Sequence, residues 1–127
     1  MIETLDGMKP GTLGFRATGK VTGAEYREIL LPAMRAAAEA GDVRMVFVVG
    51  PGFEAFEPGA LLEDAKTGIE LGFGHLSAWK RTALVTDVEW ISKAFHMFAW
   101  MAPGEVLIRG LDGLDEAKAW VAGRPAE

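Results

Sequence analysis

The chain contains no cysteine. That excludes disulfides, thiolate zinc centres and cysteine nucleophiles, and it fits a reducing compartment. Histidine is nearly as scarce, with His75 and His96 the two in the sequence. A histidine-based metal site would need further ligands converging from elsewhere, and no spacing in the sequence supplies them. No apolar run approaches the roughly 20 residues of a membrane span. Met1-Ile2-Glu3-Thr4-Leu5-Asp6 lacks the basic-then-apolar order of a secretory signal. A cytoplasmic location is the expectation, without stable membrane insertion. Clustered positive charge is missing too. Thirteen basic residues stand against 18 acidic ones, for a formal charge of −5, and no basic run exceeds Lys80-Arg81. This argues against nucleic acid and anionic lipid surfaces as partners, because both are held by clustered Lys and Arg.

What is present is apolar residue. Half of the 127 residues are hydrophobic and 24% are charged, the composition of a globular protein. The length predicts a single domain over residues 1–127 with a real core. Residues 1–5 and 12–21 read as strands, the second with Leu13, Phe15 and Ala17 alternating against more polar neighbours. The turn signal Gly7-Met8-Lys9-Pro10-Gly11 between them predicts antiparallel pairing. Thr22-Gly23-Ala24-Glu25 has the form of a capping box. The helix behind it carries Tyr26, Ile29, Leu30, Ala33 and Ala37 on one side and ends at Gly41. Pro32 is predicted to kink or divide that helix, because it removes one hydrogen bond and crowds the preceding turn.

Residues 43–49 form an apolar run suited to a central parallel strand, which Gly50-Pro51-Gly52-Phe53 is expected to break. A helix is predicted to begin at Pro58, with Leu61, Leu62, Ala65, Ile69 and Phe73 inward. Residues 81–86 and Glu105–Arg109 are the last strands, and residues 111–121 a final short helix. The order is ββαβαβαβα. Strands alternating with helices imply an α/β fold: a five-stranded, mostly parallel sheet with an antiparallel first strand.

The segment 88–101 is the most informative. It is apolar almost all the way round, with Glu89, Ser92, Lys93 and His96 forming one narrow polar stripe. One turn further, that stripe lands on Trp100. A helix of this kind cannot pack one face on a sheet and leave the rest in water. A ligand, a second subunit or the rest of the fold must cover it. Trp90 is assigned here to the core, and the end of the helix, with Trp100 and the adaptable methionines Met97 and Met101, to a binding surface.

Three segments carry a resemblance: Gly59-Ala60-Leu61-Leu62-Glu63-Asp64-Ala65-Lys66-Thr67-Gly68, then Lys80-Arg81-Thr82-Ala83-Leu84-Val85-Thr86-Asp87-Val88-Glu89-Trp90, then Gly104-Glu105-Val106 followed by Leu114-Asp115-Glu116-Ala117-Lys118-Ala119-Trp120. In this order and spacing the chain resembles the SpoIIAA-like family of small bacterial proteins, which is related to STAS domains and grouped with the CRAL-TRIO lipid-transfer fold. The resemblance covers nearly the whole chain and rests on core and cap residues, so it speaks for fold rather than chemistry. It implies a β–α superhelical domain, association as dimers and, by analogy to lipid carriers, ligand binding; most members have no established activity. STAS-type anti-sigma-factor antagonists carry an Asp-Ser-Ser-Gly-like phosphorylation motif after the middle strand. Gly50-Pro51-Gly52-Phe53-Glu54-Ala55-Phe56-Glu57 at that place contains no serine or threonine.

Catalytic groups are sparse. Asp64 and His75 share a helical stripe, but eleven residues at about 1.5 Å rise put them roughly 16 Å apart, too far for acid–base pairing. His96 reads as a solvated surface residue. Asp87 reads as a helix N-cap at the C-terminal edge of the sheet, where open α/β folds bind ligands. The glycine-rich turn at Gly50–Gly52 lacks dinucleotide spacing or a Walker lysine. No catalytic residue, metal site or cofactor is expected. The expected function is a non-enzymatic binding or regulatory module, forming a homodimer or holding an apolar small molecule or lipid. Its ligand or interface residues are Phe53, Phe56, Phe95, Phe98, Trp100 and Met101. The alternative is a protein-interaction regulator of the anti-sigma-antagonist type without the phosphorylation site.

Overall fold

Alternation in the second strand becomes sheet geometry in the computed structural model, which describes residues 1–56, 78–98 and 104–123. Strand β1 (Ile2–Thr4) pairs antiparallel with β2 (Leu13–Val21), with Ile2 opposite Ala17. Strands β3 (Val43–Phe56), β4 (Trp79–Thr86) and β5 (Glu105–Arg109) follow in parallel, so the sheet order is β1-β2-β3-β4-β5. This is the mostly parallel α/β sheet with an antiparallel first strand that the sequence predicts. The helix predicted from Pro58 lies outside the described residues.

The capping box forms as predicted. Glu25 N–H donates to Thr22 Oγ1 at 3.1 Å, and Thr22 N–H donates to Glu25 Oε1 at 3.2 Å. Glu25 also reaches across to β1, where Ile2 N–H donates to its Oε2 at 2.7 Å. Burial pushes the Glu25 carboxyl up, but the hydrogen bonds from Thr22 and Ile2 N–H, the N-terminal ammonium and the Thr22 hydroxyl outweigh it. The net effect holds it below the usual carboxylate range. The helix is divided ahead of Pro32. A short α1 (Gly23–Glu25) passes into a π-helical turn over Tyr26–Leu30, and α2 (Leu31–Glu39) restarts with the proline in its first turn, where a missing N–H costs least.

Connecting parallel neighbours stepwise with one handedness puts the crossover helices on one face. Leu31, Met34 and Ala38 of α2 accordingly share a core cluster with Ile91 of α3 (Glu89–Phe98) and with Phe15, Val43, Met45 and Leu84 of the sheet. The alternate residues Val46, Val48, Ala83 and Val85 point to the other face. There they meet Ala117 and Val121 of α4 (Leu114–Ala122), which a 3₁₀ turn over Leu111–Gly113 introduces.

Two arginines hold the C-terminal end of α4. Arg44 and Arg81 are register partners on β3 and β4. Arg44 Nη1 donates to Val121 O at 2.9 Å and Gly123 O at 2.6 Å, and its Nε meets Asp42 Oδ1 at 2.8 Å. Arg81 Nη1 donates to Trp120 O at 2.6 Å, its Nε meets Glu105 Oε2 at 2.9 Å, and its guanidinium lies 4.9 Å from the Trp120 ring centroid. The last carbonyls of a helix lack intrahelical donors and carry its partial negative charge, so cations there are favourable.

One strand boundary differs from expectation. Gly50-Pro51-Gly52 does not end β3; the strand continues to Phe56. Pairing with β2 skips there, from Ala17 opposite Val49 to Gly19 opposite Phe53. Pairing with β4 ends where Val49 meets Thr86. A bulge absorbs the prolyl residue, which has no N–H to donate to a ladder.

Candidate functional site

The extended end of β3 and the start of α3 meet at the C-terminal edge of the sheet. Three interactions fix this corner. Thr86 Oγ1 donates to Val49 O at 2.9 Å and accepts from Val88 N–H at 3.0 Å, tying β3, β4 and the entry to α3 together. Asp87 Oδ1 accepts from Leu111 N–H at 3.1 Å. The expected N-cap role for Asp87 on α3 is thereby corrected: its carboxylate turns to the 3₁₀ entry of α4, while the neighbouring threonine hydroxyl takes the early N–H at α3. A Cβ at Gly110 would sit 2.7 Å from Asp87 Oδ1 and crowd that contact.

Phe53 is buried, and its ring lies 6.3 Å from that of Trp90 at a tilt of 36°, within the range of a favourable aromatic pair. The β3 extension and α3 meet through Phe53 and Trp90. Trp90 itself is 59% exposed, against the expectation that it is core. The reason is geometric. The sheet grips α3 along the line of Ile91, which is 4% exposed, and Trp90 lies about 100° round the helix from it. Met97, two turns beyond Trp90 on the same side, is 67% exposed, and Phe95 is 43% exposed. Glu89 and Lys93 pair at 2.9 Å along the polar flank, and His96 is exposed, as expected.

Of the residues expected at the site, Phe53 is buried beneath Trp90 and Phe95 stands exposed on α3. For Phe56 and Phe98 the description extends to the backbone, which closes β3 and α3 respectively. Trp100, Met101, Asp64 and His75 lie outside the described residues. The sequence reading missed Trp90 as a surface residue. The signal was available: Trp90 and Met97 are seven residues apart, hence one stripe, and they border the Glu89–Lys93 flank.

Among the described residues no group of three His, Asp or Glu side chains could hold a metal ion, and no helix is long and apolar enough to cross a membrane.

The comparisons with known proteins agree with this fold. An uncharacterised protein of Shewanella loihica with a SpoIIAA-like fold, known from its crystal structure, superposes with a TM-score of 0.66 at 22% identity, covering 94% of this chain and 93% of that one. At this identity the likeness establishes the fold. No curated protein matches the chain. A family model described as SpoIIAA-like matches residues 12–122. These findings fit a regulatory or binding module, and neither indicates a catalytic activity. With most of its length matched, the chain belongs to the SpoIIAA-like family.

Proposed function

We propose that this protein is a non-enzymatic binding module that associates with a second copy of itself through the apolar surface of α3. The observation that carries the reading is the exposure of Trp90 and Met97, two turns apart on one flank of a ten-residue helix, with Phe95 half-exposed on the other flank. Scattered exposed apolar residues are ordinary, but several large ones on one short element mark an interaction surface. Tryptophan dominates binding energy at interfaces, and methionine supplies an adaptable apolar contact. A homodimer with two-fold symmetry covers the same patch on both chains at once. Native mass spectrometry of freshly purified protein tests this. A species at twice the 13.7 kDa chain mass, lost on Trp90→Ala or Met97→Ala substitution, is the expected result; a chain that stays monomeric, with these substitutions changing nothing, overturns it.

A second reading has its own support. Phe53 and Trp90 meet at the C-terminal edge of the parallel strands, where open α/β sheets bind ligands. An apolar small molecule seated between α3 and the end of β3 would appear in the same spectrum. Its mark is an excess mass that disappears on denaturation.

A further inference from the structure

We draw no further inference here: the strongest candidate, the apolar flank of α3 bearing Trp90 and Met97, belongs to the site already described, and nothing in the structure shows what covers it beyond that reading.

Discussion

At Trp90 a test of stability can be separated from a test of the proposed association. Its ring touches Phe53 yet remains 59% exposed. A buried tryptophan truncated to alanine costs about 3–5 kcal/mol. Trp90→Ala is expected to cost less than that, because more than half of the side chain is already in water; the ring pair contributes about 0.5–1.5 kcal/mol beyond the area it buries, and urea denaturation of the monomeric form measures the difference. A loss in the larger range would place the ring back in the core. Gly104 is a contrasting position, small and invisible to periodicity. Its φ is +77°, and a Cβ there would lie 2.5 Å from the Trp79 carbonyl oxygen. Gly104→Ala combines left-handed strain of about 1–2 kcal/mol with a backbone clash at the start of β4, so its loss in the same denaturation experiment exceeds the strain alone. Glu25 adds a pH dependence. Its folded carboxyl is held below the usual range, so its contribution is present above the ordinary carboxylate value and is lost as pH falls through the lowered folded value. Glu25→Gln is therefore expected to narrow its stability deficit relative to wild type as the pH is lowered through that window. A deficit that stays constant with pH would mean that the charge contributes nothing.

At the scale of elements, legibility followed local chemistry. Thr22 and Glu25 announce a capping box because both partners lie within one turn. Pro32 announces a division because it lacks an N–H, although the sequence did not reveal that the chain would pass through a π turn at Tyr26–Leu30. Gly50-Pro51-Gly52 reads as a break for the same local reason. The strand nevertheless continues, because the Pro51 position lies past the last pairing with β4 and in a skip of the pairing with β2. That outcome depends on where neighbouring strands end, which no local pattern carries. The exposure of Trp90 has a related cause: the narrow polar stripe does not define the whole exposed arc, which the width of the sheet's grip sets. The anchoring of α4 was equally hidden, since Arg44 and Val121 are 77 residues apart in sequence. Arg44 is almost wholly buried and donates to two carbonyls at the end of that helix. Hydrogen bonds to a charged group contribute about 1.5–3 kcal/mol, and lysine cannot reproduce the guanidinium fork. Arg44→Lys is thus expected to cost an amount in that range and to speed amide exchange within Leu114–Ala122 ahead of β3. Unchanged exchange in α4 would show that its docking rests on Ala117, Val121 and the Arg81 contacts without Arg44.

At the scale of the whole molecule the balance turns on α3. Among the described residues Ile91 is the one side chain of this helix that is fully buried, contributing about 1.5–3 kcal/mol from its burial. That is little for a ten-residue helix whose sequence is largely apolar. Three large apolar side chains in water beside a single buried one describe a helix only partly covered by its own chain. On the proposed reading association supplies the remaining burial, and its signature would be concentration dependence: whatever binds the folded form stabilises it by mass action. The melting temperature of the wild type is therefore expected to rise with protein concentration, and sedimentation velocity to shift from one to two chain masses over the same range. Asp substituted at both Trp90 and Met97 places charges at the contact that cannot be desolvated cheaply. That variant is expected to sediment as a single chain and to melt at one temperature at all concentrations, while keeping a far-ultraviolet spectrum like the wild type's, since both positions are exposed in the isolated chain. A wild type whose melting temperature ignores concentration would remove self-association from the account. The same exposed helix would then have to meet a different apolar partner, and the excess mass in the native spectrum becomes the deciding observation.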